Sequence, residues 1–147
     1  MISTAAVWLT ARICLVAMFP FSAADKVIHW TNALAQTKSS GLTGGAAMLV
    51  AAIVLEAVTP FCIVLGVYDR AAALLLAGFC VVTAVLYHPF WKGPDFWSPR
   101  DDSVAREHFW QFLKNLGLVG GLLLVVFAGS LSPLSPALAH QLLRLHD

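Results

Sequence analysis

Charged side chains are scarce in this sequence. Of its 147 residues, 9 are Lys or Arg and 8 are Asp or Glu, so charged residues make up 12% of the chain. A typical soluble domain has about 25% charged residues and about 45–50% apolar ones, whereas this chain is 59% hydrophobic with a mean hydropathy of +0.80. These values exclude an ordinary water-soluble domain and indicate an integral membrane protein. The net charge of +1 lacks the basic excess that nucleic-acid binding requires.

Catalytic signatures are also missing. The three cysteines, Cys14, Cys62 and Cys80, stand alone without a C-x-x-C pair, which argues against a dithiol oxidoreductase. No nucleophilic serine motif, phosphate-binding loop or H-E-x-x-H sequence is present. Whether the protein is an enzyme is therefore left open, and no metal site is predicted.

Four apolar windows have the roughly 20-residue length that a membrane-spanning helix needs. They cover about residues 4–24, 43–67, 70–88 and 109–131. The sequence thus predicts an all-α, multi-pass bundle of four transmembrane helices, formed by a single domain over residues 1–147. A short amphipathic tail is expected after Pro136, with Leu138, Leu142 and Leu145 on one face.

The distribution of basic residues suggests an orientation. With four spans, the two longer loops lie on one side of the membrane and carry five basic residues: Lys26, Lys38, Lys92, Arg100 and Arg106. The opposite side carries Arg70 and Arg144. Because basic residues favour the cytoplasmic side, we expect the two-loop side to face the cytoplasm of a bacterial inner membrane.

Two charged residues lie inside the apolar windows. At 1.5 Å per residue, Arg12 and Glu56 are roughly 12 and 15 Å deep from the same membrane face. Intramembrane charges usually face the bundle interior and pair, so we expect a buried Arg12–Glu56 ion pair. Pro60 cannot donate a hydrogen bond to the Glu56 carbonyl, which predicts a kink at that level.

Polar residues also gather at the two-loop ends of the spans. We expect a ligand pocket there, formed by Lys26, His88, His108, Lys114 and Asn115. Its cover would be the aromatic loop from Phe90 to Trp97, which includes Trp91. Such groups can bond a quinone carbonyl or attract an anion. The alternative is an interfacial belt of aromatic residues and snorkelling lysines without a ligand.

Lys114 is expected to point into the bundle. It shares a helical face with Gly117 and Gly121, and a G-x-x-x-G motif commonly marks close packing between membrane helices.

The order and spacing of several short motifs resemble those of the DoxX family of small four-helix membrane proteins. The matching features are Arg12, the Phe21–Lys26 segment, Glu56 followed by Gly66-x-x-x-Arg70, His88, and Phe112-Leu-Lys-Asn115. The resemblance implies a four-helix membrane fold. Some DoxX-type proteins are linked to membrane redox systems, as subunits of thiosulfate:quinone oxidoreductases and terminal oxidase assemblies.

The residue patterns and the family resemblance together leave three functions open. The first is an accessory subunit of a quinone-linked membrane redox complex, with a quinone as the candidate ligand and redox proteins as partners. The second is a small proton-coupled transporter or channel. The third is a structural membrane partner without a ligand. The sequence leaves the substrate and the oligomeric state open.

Overall fold

In this computed structural model, residues 4–39, 44–93, 96–97 and 103–127 are described, and they contain helices and turns but no β-strand. The helices are α1 (Thr4–Val16), α2 (Met18–Ile28), α3 (Trp30–Ser39), α4 (Gly45–Leu65), α5 (Asp69–Tyr87) and α6 (Val104–Phe127). A 3₁₀ turn, Phe90–Lys92, follows α5. The predicted tail after Pro136 lies outside the described residues.

Four helical segments of the described chain are long and apolar enough to cross a membrane: Ala6–Ile28, Gly45–Leu65, Asp69–Lys92 and Val104–Phe127. The predicted all-α fold with four spans is therefore confirmed. Helix α6 begins five residues earlier than the hydropathy indicates. The Ser103 hydroxyl accepts a hydrogen bond from the Arg106 N–H, and such a cap lets a helix begin within a polar segment.

The first span consists of two helices that meet at Ala17. Pro20 lies in the first turn of α2, where its missing N–H does little harm because the first N–H groups of a helix have no intrahelical partner. Because Pro20 has no N–H, the carbonyl of Val16, four residues earlier, lacks its usual donor. The chain therefore changes from α1 to α2 at this level.

A tight turn separates α4 from α5. Gly66 ends α4 in the left-handed conformation with φ +72°, and its N–H donates to the Cys62 carbonyl. Tyr68, with φ +51°, completes the reversal. A glycine at the first of these positions avoids the steric cost of a Cβ in that conformation.

Helix α5 lies at the centre of the bundle and packs against both α4 and α6. Its buried face is rich in small residues, with Ala72, Ala73 and Ala77 all nearly inaccessible, which lets the neighbouring backbones approach closely. Many large apolar side chains point outward, among them Leu65 and Leu124. An apolar exterior is what a bundle surrounded by lipid requires.

Helix α3 is a feature that the hydropathy pattern did not predict. At ten residues it is only about 15 Å long, too short to cross a membrane. It turns back after α2 at His29, whose N–H donates to the Asp25 carbonyl, and packs against α2 and α4. The first connection on the two-loop side is therefore partly helical.

A candidate ligand cavity in the two-loop half of the bundle

A cavity of about 430 Å³ lies among α2, α3, α4, α5 and α6. Its walls are mainly apolar and include Met18, Phe19, Met48, Leu49, Ala51, Ala52, Leu55, Phe79, Val82 and Leu86. Its polar lining residues are Ser22, Lys26, Gln36, Thr37, Glu56, Thr83, Tyr87, His88, Gln111 and Asn115. Mostly apolar walls with a few polar groups are typical of sites for small molecules.

The most buried polar group of this cavity is Glu56, only 3% exposed. The Lys26 ammonium donates to both Glu56 carboxylate oxygens, at 3.0 Å (Oε1) and 2.8 Å (Oε2), and to the Ser22 hydroxyl at 2.6 Å. The Ser22 hydroxyl in turn donates to Glu56 Oε1 at 3.2 Å. Lys26, Glu56 and Ser22 thus form one closed polar network on the α2–α4 side.

Arg12 has different partners from those predicted. Its guanidinium donates to the Asp69 carboxylate at 2.7 Å and to the Ile63 carbonyl at 2.8 Å. The predicted Arg12–Glu56 pair is therefore wrong. Helical side chains lean toward the N-terminus of their helix, so Arg12 on α1 leans away from Glu56, toward the turn that follows α4.

The same lean explains why Lys26, and not Arg12, pairs with Glu56. Lys26 lies near the end of α2, and its stem runs back along the helix to Ser22, four residues earlier. This direction carries the ammonium into the bundle, where Glu56 lies. Lys26 falls outside the first apolar window, so it was not among the charged residues expected inside the membrane.

His88 and His108 come together, as their common membrane level suggests. Their Nδ1 atoms are 3.2 Å apart, so one imidazole donates and the other accepts through a neutral nitrogen. His88 lines the cavity, whereas His108 does not. His108 therefore contacts the cavity wall through His88. The described residues contain no group of three His, Cys, Asp or Glu side chains that could hold a metal.

Lys114 does not point into the bundle. Its side chain is exposed, and a Cβ added at Gly117 would meet no other atom within 4 Å. The expectation of a packed Lys114–Gly117 face is wrong. Helix α6 instead presents Leu118, Leu122 and Val125 to the core, and Gly117 is one residue, about 100°, away from that face. Asn115, next to Lys114, lines the cavity.

The aromatic loop packs beside the cavity. Phe90 contacts Phe96, Phe109 and Phe112 at ring-centroid distances of 5.6, 5.0 and 5.5 Å, and Trp91 packs against Phe112. Of the loop residues that the structure describes, 90–93 and 96–97, none lines the cavity. The described part of the loop thus packs on the first turns of α6 and, contrary to the expectation, does not cover the cavity.

Several lining residues were missed from the sequence. Gln111 lies one helical turn before Asn115, so it could have been added from helical spacing. Tyr87 directly precedes His88, and spacing gives no such signal there because neighbouring residues point to different helix faces. Gln36 and Thr37 had no such signal, because α3 itself was not predicted.

Comparison with known proteins agrees with this architecture. The chain is 28% identical over 123 residues to the inner membrane protein YphA of Escherichia coli strain K12, an alignment that covers 82% of this chain and 81% of that protein. This similarity agrees with the predicted location in a bacterial inner membrane. No solved structure matches the chain.

The family comparison covers the region that forms most of the cavity wall. A family model named DoxX matches residues 7–89, more than half of the chain, and this range includes Arg12, Lys26, Glu56 and His88. Together with the four spans and the all-helical architecture, the match confirms the resemblance seen in the sequence. The chain is a multi-pass membrane protein and belongs to the DoxX family.

Proposed function

We propose that this protein binds a lipid-soluble small molecule of the quinone type and serves as the quinone-binding subunit of a membrane redox system. The observation that carries the proposal is the cavity itself. Its volume of about 430 Å³ lies within the range of roughly 300–1,000 Å³ that is usual for ligand pockets. The apolar walls suit a ring and the start of an isoprenoid chain, and the polar residues suit the ring oxygens.

The helix arrangement supports a ligand that comes from the lipid. In the described helices, no Cα of α2 lies within 8 Å of a Cα of α6. The first span contacts α6 through α1 instead, where Gly121 lies against Leu15. The cavity, which both α2 and α6 line, is therefore bounded by two helices whose backbones are not closely packed.

The residues on the cavity wall would bind and orient such a ligand. Tyr87 and Asn115 can donate hydrogen bonds to a carbonyl oxygen, and Phe79 offers an aromatic face on which a ring can stack. Electrons would pass between the ligand and a redox partner protein, while this chain holds the ligand within the membrane.

The test fills the cavity without changing its polar groups. Ala52 lines the cavity, whereas Val54, on the same helix, is 54% exposed and does not. We expect Ala52→Trp to abolish binding of a short-chain benzoquinone by the protein in nanodiscs, and Val54→Trp to leave it unchanged. Bound quinone is quantified by mass spectrometry against empty nanodiscs. Equal quinone in parent, Ala52→Trp and empty nanodiscs would disprove the proposal.

One observation favours the second function, proton-coupled transport. The Lys26–Glu56 pair is held inside the membrane beside a cavity, and intramembrane ionisable groups often mark proton or ion pathways. Transport would require the cavity to open to both sides. A proton flux across liposomes that the protein catalyses and Glu56→Gln abolishes would favour it over quinone binding.

A further inference from the structure

The Lys26 ammonium has no donor left for a ligand. An ammonium has three N–H donors, and its three contacts go to Ser22 and to the two oxygens of Glu56. Lys26 and Glu56 are also the only Lys, Arg, Asp or Glu among the described residues that line the cavity. Their opposite charges cancel.

Free polar groups lie on the other wall of the cavity. The Tyr87 hydroxyl and the Gln111 side-chain amide have no hydrogen-bond partner among the described residues. The Asn115 side chain uses only one N–H, which donates to the main-chain carbonyl of Gln111. None of these atoms is fully enclosed without a partner, so they remain accessible. Ligand hydrogen bonds are therefore available from α5 and α6.

From these contacts we infer that the cavity selects uncharged amphiphiles, with Glu56 as the residue that excludes anionic ones. Glu56 neutralises Lys26, so an anionic head group gains no net attraction and loses its hydration on entering. An uncharged oxygen head group loses less and is bound by Tyr87, Gln111 and Asn115. This inference rests on the proposed function and specifies its ligand class.

A matched pair of probes tests the selectivity. A medium-chain fatty alcohol and the fatty acid of equal chain length differ only in the head group. For the parent protein in nanodiscs, we expect the alcohol to bind at least roughly tenfold more tightly than the carboxylate, after subtraction of binding to empty nanodiscs. Glu56→Gln frees the ammonium and should strengthen carboxylate binding roughly tenfold, the effect of one charge-assisted hydrogen bond.

Two further variants separate charge from shape. The double variant Lys26→Met/Glu56→Gln has no charge in the cavity, so carboxylate binding should fall back to the parent's weak level. Glu107→Gln, at an exposed position on α6 outside the cavity, should leave the parent's preference unchanged. If Glu56→Gln fails to fold, the comparison of the two probes on the parent protein still tests whether the cavity prefers uncharged ligands.

The free polar groups are tested with tyrosines. Tyr87→Phe should weaken binding of the alcohol and of a short-chain benzoquinone by roughly three- to tenfold. The matched change Tyr68→Phe, at a residue 83% exposed on the opposite side, should have no effect. If Tyr87→Phe binds both probes like the parent, this assignment of the hydrogen bonds is overturned.

The outcomes distinguish this inference from the proposed function. A parent protein that binds quinone, alcohol and carboxylate equally would overturn the selectivity but keep the cavity as a quinone site. A parent that binds none of the three would overturn both. Tighter carboxylate than alcohol binding in the parent would show that Lys26 is available to the ligand and would refute the role of Glu56.

Discussion

At the scale of single residues, two ion pairs tie the spans together at different levels. Lys26 and Glu56 join α2 to α4 beside the cavity, and their side chains are 25% and 4% exposed. Arg12 and Asp69 join α1 to the start of α5, with side chains 22% and 24% exposed. The Lys26–Glu56 pair is the more buried of the two, so loss of one partner should matter more there.

Removing one member of the Lys26–Glu56 pair should destabilise the fold strongly. Lys26→Met leaves a carboxylate without its counter-ion, and breaking a buried pair in this way costs roughly 3–5 kcal/mol. We expect a clear drop in the thermal unfolding midpoint in detergent and partial recovery in Lys26→Met/Glu56→Gln. Lys38→Met, at an exposed lysine on α3, is the control, with an expected change within about 0.5 kcal/mol. A Lys26→Met protein that unfolds like the control would contradict the pairing.

Double-mutant cycles should report which residues are paired. Residues in contact show coupling energies of roughly 0.5–3 kcal/mol, whereas distant ones are nearly additive. Cycles of Arg12 with Asp69 and of Lys26 with Glu56 should give such coupling, and a cycle of Arg12 with Glu56 should give little. The measurement is the free energy of unfolding in mixed micelles. Strong Arg12–Glu56 coupling would restore the pairing expected from the sequence.

At the scale of the helix, α6 shows that a glycine motif does not by itself identify a packed face. A Cβ added at Gly121 would lie 2.6 Å from Leu15 Cδ1, whereas Gly117 and Gly120 have nothing within 4 Å. The contact of α1 with α6 therefore depends on one glycine. The face with Gly117 and Gly120 is exposed.

Leucine substitutions along α6 should separate these positions. Gly121→Leu collides with the Leu15 side chain, and such overpacking costs roughly 1–3 kcal/mol. Gly117→Leu and Gly120→Leu have free space and should be neutral or stabilising, since leucine favours helices by up to about 1 kcal/mol over glycine. Thermal unfolding of the three variants provides the comparison. Equal losses at Gly117 and Gly121 would indicate that both are packed.

At the scale of the whole molecule, the asymmetry of basic residues predicts how the bundle sits in the membrane. Trp97, on the two-loop side, and Tyr68, in the α4–α5 turn, are 89% and 83% exposed. Tyr68 directly precedes α5 and Trp97 lies in the loop that follows it, so the two residues mark the two sides. Single cysteines at these positions can therefore report the orientation.

The expected result follows from the excess of lysine and arginine on the two-loop side. In a background without the three native cysteines, a membrane-impermeant maleimide should label Trp97→Cys in inside-out vesicles and Tyr68→Cys in right-side-out vesicles. The two variants control each other, because each should be protected where the other is labelled. The reverse pattern would place the two longer loops outside the cytoplasm.

The sequence alone determined the features that depend on local composition. About 20 consecutive apolar residues are sufficient to predict a membrane-spanning helix. Lipid offers no partners for backbone N–H and C=O groups, and a helix satisfies them within its own segment. The four spans and the family could therefore be predicted. The level of Lys26, His88 and Asn115 in the membrane followed from their positions at span ends, and all three line the cavity.

Only the tertiary structure decided which side chains meet. Depth along a helix is fixed by counting residues, but the rotation of each helix and the lean of long side chains depend on the packing of the other helices. Glu56 therefore pairs with Lys26, Lys114 faces outward, and α3 contributes a wall that hydropathy does not show. The cavity is a gap between helices that are far apart in the chain, so its shape comes from the packing of the whole bundle.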